Sequence, residues 1–188
     1  MTEVFQIPYG DHPSQFGVFR MPGVSGLSPV VITIHGGFWQ SKYGLEENDP
    51  LDEDLTRRGY ATWNIEYRRV GEDGGGWTGT FIDVIDAVNH LTQLEERFLL
   101  DLSRVVILGH SAGGHLALWL ASRINNVQTD EIDSTLLVPI QSVISLAGVS
   151  DLRKMWDIHE EQGGVSQVAS FIGGSPHEVS DRYRLAYR

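Results

Sequence analysis

The most constraining feature of the chain is a run of small residues wedged between two apolar segments. Val105-Val106-Ile107-Leu108 leads directly into Gly109-His110-Ser111-Ala112-Gly113-Gly114, and an apolar stretch from His115 to Arg123 follows. An unbroken run of β-branched and apolar residues is expected of a strand covered on both faces. The sequence therefore predicts strand, sharp turn and helix in immediate succession, with Ser111 on the turn. A serine there adopts a strained backbone conformation, and Cβ atoms at the flanking positions would collide with strand or helix, which is the use of the small neighbours. Such a turn lifts the Ser111 hydroxyl clear of the sheet. The alternative, a Gly-rich turn with no chemistry, leaves the combination unexplained.

A second constellation sits at the end of another apolar run. Val30-Val31-Ile32-Thr33-Ile34 is followed by His35-Gly36-Gly37-Phe38-Trp39. Glycines at a strand exit let backbone N–H groups approach a developing oxyanion closely. The competing role is a tight loop packed under Trp39. Four of the five tryptophans, Trp39, Trp63, Trp77 and Trp119, are candidates to line a pocket, Trp39 first among them, although core or rim packing accounts for most.

Between these motifs the pattern alternates. Asn48-Asp49-Pro50 marks a helix start with an acid as cap, and Asp52, Glu53 and Asp54 follow as a solvated acidic first turn that Gly59 later ends. Tyr60 to Ile65 is a strand, and the five glycines of Gly71–Gly79 form a loop that lacks the Lys-Ser/Thr of a phosphate-binding loop. Phe81, Ile82, Ile85, Val88 and Leu91 recur at helical spacing in a helix reaching about Arg97. Val143-Ile144-Ser145-Leu146 is a further strand, and the first 20 residues add one or two edge strands, with Gly17–Arg20 the clearer. Alternating strands and helices give an α/β fold, a mostly parallel sheet with helices on both faces, in one domain spanning 1–188.

Taken together, these motifs resemble the α/β-hydrolases of the esterase/lipase and kynurenine-formamidase type, whose oxyanion loop reads His-Gly-Gly-x-Trp. The resemblance extends to Glu66-Tyr67-Arg68-Arg69 after the Tyr60–Ile65 strand and to Leu146-Ala147-Gly148-Val149-Ser150-Asp151-Leu152. It implies Ser111 as nucleophile and backbone N–H groups of Gly36, Gly37 and Ala112 as oxyanion donors. It implies neither a metal nor an organic cofactor. Such enzymes place an acid after the seventh strand and a histidine after the eighth. The chain ends at Arg188, about where those strands would begin, so it is similar to a family member shortened at the C-terminus, with the last two strands missing. A relocated triad of Ser111, Asp151 and His159 or His177 is formally open in chain order. Against it, Asp151 is also placed to cap a loop or helix, and both histidines to lie on the surface. His110 and His115 are expected to pack around the turn.

Composition narrows the partners. Fourteen basic against 25 acidic residues leave a net charge of -11, a poor match for nucleic acid, whose binding begins with phosphate neutralisation. There is no basic amphipathic face for an anionic membrane, and the absence of cysteine excludes a disulfide framework and a thiol nucleophile. No signal-like N-terminus or membrane-length apolar run is present, so a cytoplasmic location is expected. The leading expectation is a serine hydrolase of small-molecule esters or amides. The alternatives are a non-catalytic binding module on the same fold and an inactive fragment of a longer hydrolase. Self-association is expected through the exposed edge at Val143–Leu146.

Overall fold

Where the sequence runs apolar and β-branched, the chain pairs into a sheet. The computed structural model describes residues 2–124, Ile132 and residues 135–187. Its strands are β1 (Glu3–Pro8), β2 (Phe16–Met21), β3 (Ser28–Ile34), β4 (Ala61–Ile65), β5 (Leu100–His110) and β6 (Ile140–Leu146). Its helices are α1 (Asp49–Arg57), α2 (Gly79–Asn89), α3 (Leu91–Glu95), α4 (Ala112–Arg123), α5 (Leu152–Glu161), α6 (Gln167–Ile172) and α7 (Ser180–Tyr187). The strand order is β1-β2-β4-β3-β5-β6. β3, β4, β5 and β6 run parallel, whereas β1–β2 and β2–β4 pair antiparallel.

β3 has a neighbour on each side and helices above and below. Val30, Ile32 and Ile34 are accordingly fully buried. Hydrogen bonds across the layers identify both faces. On one, Thr33 Oγ1 donates to Asp52 Oδ1 of α1 (2.9 Å) and Asn64 Nδ2 donates to the carbonyl of Leu45 (2.9 Å). On the other, Trp63 Nε1 donates to the carbonyl of Ala87 in α2 (2.8 Å). β6 pairs only with β5 among the described strands, leaving Ile144 and Leu146 exposed at that edge.

Three local expectations are corrected. β2 is an interior strand held between β1 and β4, because β1 takes the edge. The helix expected to reach Arg97 breaks at His90, whose ring stacks on Trp63 with centroids 6.0 Å apart. The acidic start of α1 is not uniformly solvated. Asn48 is the N-cap residue, Asp49 pairs with Arg20 Nη2 at 2.6 Å, and helical periodicity turns Asp52 and Thr56 together onto the sheet, where Asp52 is fully buried.

Burial raises the Asp52 carboxyl to about 7, opposed by the Thr33 hydroxyl and by Arg20, whose Nη1 lies 3.7 Å away. Its unfolded value is about 3.9, so the folded state binds the extra proton. Stability from this group is complete below about pH 4 and is lost as pH rises towards 7. Asp52→Asn is expected to remove that loss, so the stability difference between the variant and the natural protein shifts in the variant's favour by up to about 4 kcal/mol between pH 4 and pH 8. Urea unfolding across that range measures it. Parallel pH profiles for the two proteins would overturn the assignment.

Candidate functional site

The C-terminal ends of β3 and β5 meet at one edge of the sheet, the usual position for sites in open α/β sheets. β5 ends at His110 and α4 begins at Ala112, so the whole turn is Ser111. Its backbone sits at φ 52° and ψ -115°. Main-chain bonds hold it there. Ser111 N–H donates to the carbonyl of Leu146 (2.8 Å), and its own carbonyl accepts from His115 (3.1 Å) and Val149 (3.3 Å). A Cβ on Gly113 would strike the carbonyl oxygens of Ile34 and His35, so a side chain there would drive α4 off the end of β3.

Phe38 (φ 50°), Trp39 (φ 57°) and Ala147 (φ 49°) share this left-handed backbone with Ser111, and Gly37 lies at φ 96°. All sit just beyond the ends of β3, β5 and β6. Strain costing of order 1–3 kcal/mol per residue, gathered at one sheet edge, points to a functional site there.

A buried network braces the loop after β3. His35 is fully buried; its Nε2 lies 2.7 Å from Glu66 Oε1 and its Nδ1 2.9 Å from the carbonyl of Gly36. Both partners are oxygen acceptors, one facing each ring nitrogen. Tyr67 stacks on the ring at 4.5 Å, and its hydroxyl donates to the His35 carbonyl. Glu66 also accepts from the Tyr67 N–H (3.0 Å) and Arg69 Nη1 (3.1 Å). The carbonyl of Gly36 and the N–H of Gly37 belong to one planar peptide, so a bond that pins the first also orients the second.

Of the expected donors, the N–H groups of Gly37 and Ala112 make no hydrogen bond to another described residue. The N–H of Gly36 instead donates to Glu47 Oε1. Glu47 escaped the sequence analysis because nothing in Gly44-Leu45-Glu46-Glu47 distinguishes it from a solvated acid. Only the return of that loop brings it under Gly36. Trp39, expected to line a pocket, is fully buried, stacked on Phe171 at 4.3 Å and edge-on to His115 at 5.3 Å. Its ring belongs to the core, while Phe38 is the half-buried aromatic of the loop.

Asp151 is exposed and caps α5 by accepting from Lys154 N–H at 2.9 Å. His159 is half-buried, with Nδ1 3.3 Å from Ser166 Oγ and its ring 5.7 Å from Phe38. His177 is exposed and edge-on to Trp156 at 5.5 Å. Among the described residues, none of the three is hydrogen-bonded to Ser111. His110 lies 3.4 Å from Glu47 Oε1. His115 is buried and shares its Nε2 with the carbonyl of Ala186, and burial lowers its value to about 4.

The fold, with a strained serine between β5 and α4, defines an α/β-hydrolase of the esterase/lipase type. Residues 18–187 match the BD-FAE family, and the chain belongs to it. It is 26% identical over 155 residues to the probable carboxylic ester hydrolase LipM of Mycobacterium tuberculosis, covering 80% of this chain and 36% of LipM. It is 24% identical over 153 residues to the kynurenine formamidase of Drosophila melanogaster, covering 81% and 47%. Esterase B of Lactobacillus rhamnosis, solved with a tributyrin phosphonate, superposes with a TM-score of 0.80 at 24% identity over 99% of this chain and 60% of that one. The chain thus spans less than half the length of either curated relative named here.

Proposed function

We propose that this chain, as a single α/β-hydrolase domain, is a serine hydrolase of small-molecule esters or amides. The observation that carries the proposal is the strained Ser111 turn facing a braced loop, with the N–H groups of Gly37 and Ala112 unpartnered among the described residues. In this reading Ser111 Oγ attacks the substrate carbonyl and its proton passes to a general base. The carbonyl oxygen takes the negative charge, stabilised by the two N–H groups at the N-terminus of α4 and on the loop. The alcohol or amine then leaves with a proton, and water releases the acyl group from Ser111. Similarity to a carboxylic ester hydrolase and to a kynurenine formamidase supports a carbonyl substrate of either type. A second reading, a binding module on the same fold, is favoured by one observation: Asp151 is engaged as a helix cap and no described histidine is bonded to Ser111.

Reaction with an alkyl fluorophosphonate, followed by peptide mapping, separates the two. The hydrolase reading expects the adduct on Ser111, and modification of a different serine or of none would overturn it.

The oxyanion assignment has its own test. Gly37→Ala places a Cβ against Tyr43 on a backbone at φ 96° and displaces the N–H. It is expected to lower kcat by about 10²–10³-fold, the cost of one oxyanion donor, with KM changed much less. A raised KM with kcat intact would refute the role.

A further inference from the structure

Glu47 is the carboxylate that accepts directly from a backbone N–H of the loop beside Ser111, and among the described residues it forms no ion pair with lysine or arginine. Its Oε1 accepts from the N–H of Gly36, and the side chain stays 37% exposed. A methyl group placed on Gly36 would lie 3.2 Å from that Oε1 and 3.1 Å from Ser111 Cβ. The charge is therefore anchored beside the nucleophile. Other charged or titratable groups among the described residues lie near the rim of this site, including Arg69 against the Tyr43 carbonyl and His159 against Phe38. Glu66 is spent on His35 and Arg69. His110, half exposed, stands 3.4 Å from the same Glu47 oxygen. Lys42 holds its ammonium 5.0 Å from the centre of the Tyr43 ring, and that ring packs on Gly37. The last contact shows a cation seated on an aromatic wall of the rim.

We propose that Glu47 is a specificity-determining residue of this site, selecting substrates with a cationic group next to the reacting carbonyl and disfavouring anionic ones. The proposal rests on the serine-hydrolase reading. Two unit charges several ångströms apart at a partly solvated site interact by enough to change a rate about tenfold, and added salt screens the effect.

The test is the rate of Ser111 phosphonylation by two fluorophosphonates of equal length, one ending in trimethylammonium and the other in carboxylate. In the natural protein the cationic probe is expected to react at least tenfold faster than the anionic one, with the ratio shrinking at high salt. Glu47→Gln keeps an acceptor for the Gly36 N–H but not the charge, and is expected to bring the ratio, taken within the variant, close to that of the free reagents. Glu46→Gln removes an exposed charge of the same sign one residue away and serves as the control. Equal ratios in the natural protein and Glu47→Gln, or equal collapse in both variants, would overturn the proposal, the latter because the overall negative charge would then be responsible. If neither probe nor an uncharged one modifies Ser111, the serine-hydrolase reading falls first and this inference falls with it.

Discussion

Ser111→Ala is expected to abolish phosphonylation and to cut hydrolysis by on the order of 10⁴–10⁶-fold, leaving only catalysis by binding and oxyanion stabilisation. The fold should survive, because the bonds that hold the turn run through the main chain of Ser111 to Leu146, His115 and Val149 rather than through its hydroxyl. The strained backbone supplies a second readout. Glycine tolerates φ 52° without steric cost, whereas alanine does not. Ser111→Gly should therefore be as inactive as the alanine variant yet about 1 kcal/mol more stable than it. Urea unfolding beside an ester assay measures both. Residual turnover near that of the natural protein would remove Ser111 from the mechanism, and equal stability of the two variants would remove the strain.

Loss of Glu66 is expected to have the largest effect on stability. Its carboxylate is nearly fully buried and accepts from His35, the Tyr67 N–H and Arg69. Glu66→Ala leaves the ring of His35 facing a cavity, and breaking a buried pair from one side costs about 3–5 kcal/mol. The same change loosens the His35 ring that braces the Gly36 carbonyl, so kcat should fall more than KM rises in whatever fraction folds. Glu66→Gln, which keeps the shape and one acceptor, should lose less of both. Unfolding of the alanine variant within 1 kcal/mol of the natural protein would show that the network does not support the loop.

The local architecture was legible because it is written in neighbouring residues. An apolar run meeting Gly-x-Ser-x-Gly and then an apolar helix leaves few conformations open, and the structure has β5, a one-residue turn at Ser111 and α4 in that order. β3 with its glycine exit was readable for the same reason, and so was the parallel sheet, since strands alternating with helices pack in few ways. The sequence pattern of α1 was less informative. Asp52, Glu53 and Asp54 look alike in sequence, and only the sheet beneath the helix makes Asp52 different from the other two.

Long-range contacts decided the remainder. The Gly36 N–H is held by a residue 11 positions away, Thr33 meets Asp52 across 19, and His35 meets Glu66 across 31. No periodicity or local propensity records such pairings, because they depend on how loops return over the sheet edge. That is why Gly36 and Gly37 look equivalent as donors in sequence yet differ in the fold, with Glu47 on one and no described partner on the other. Trp39 follows the same logic: its position in the motif suggests a pocket, but Phe171, 132 residues later, stacks on it and makes it core. Residue type and spacing were enough for strand, turn and strained serine, whose causes are steric and local. Which N–H stays free, and which carboxylate is buried, followed from tertiary contacts.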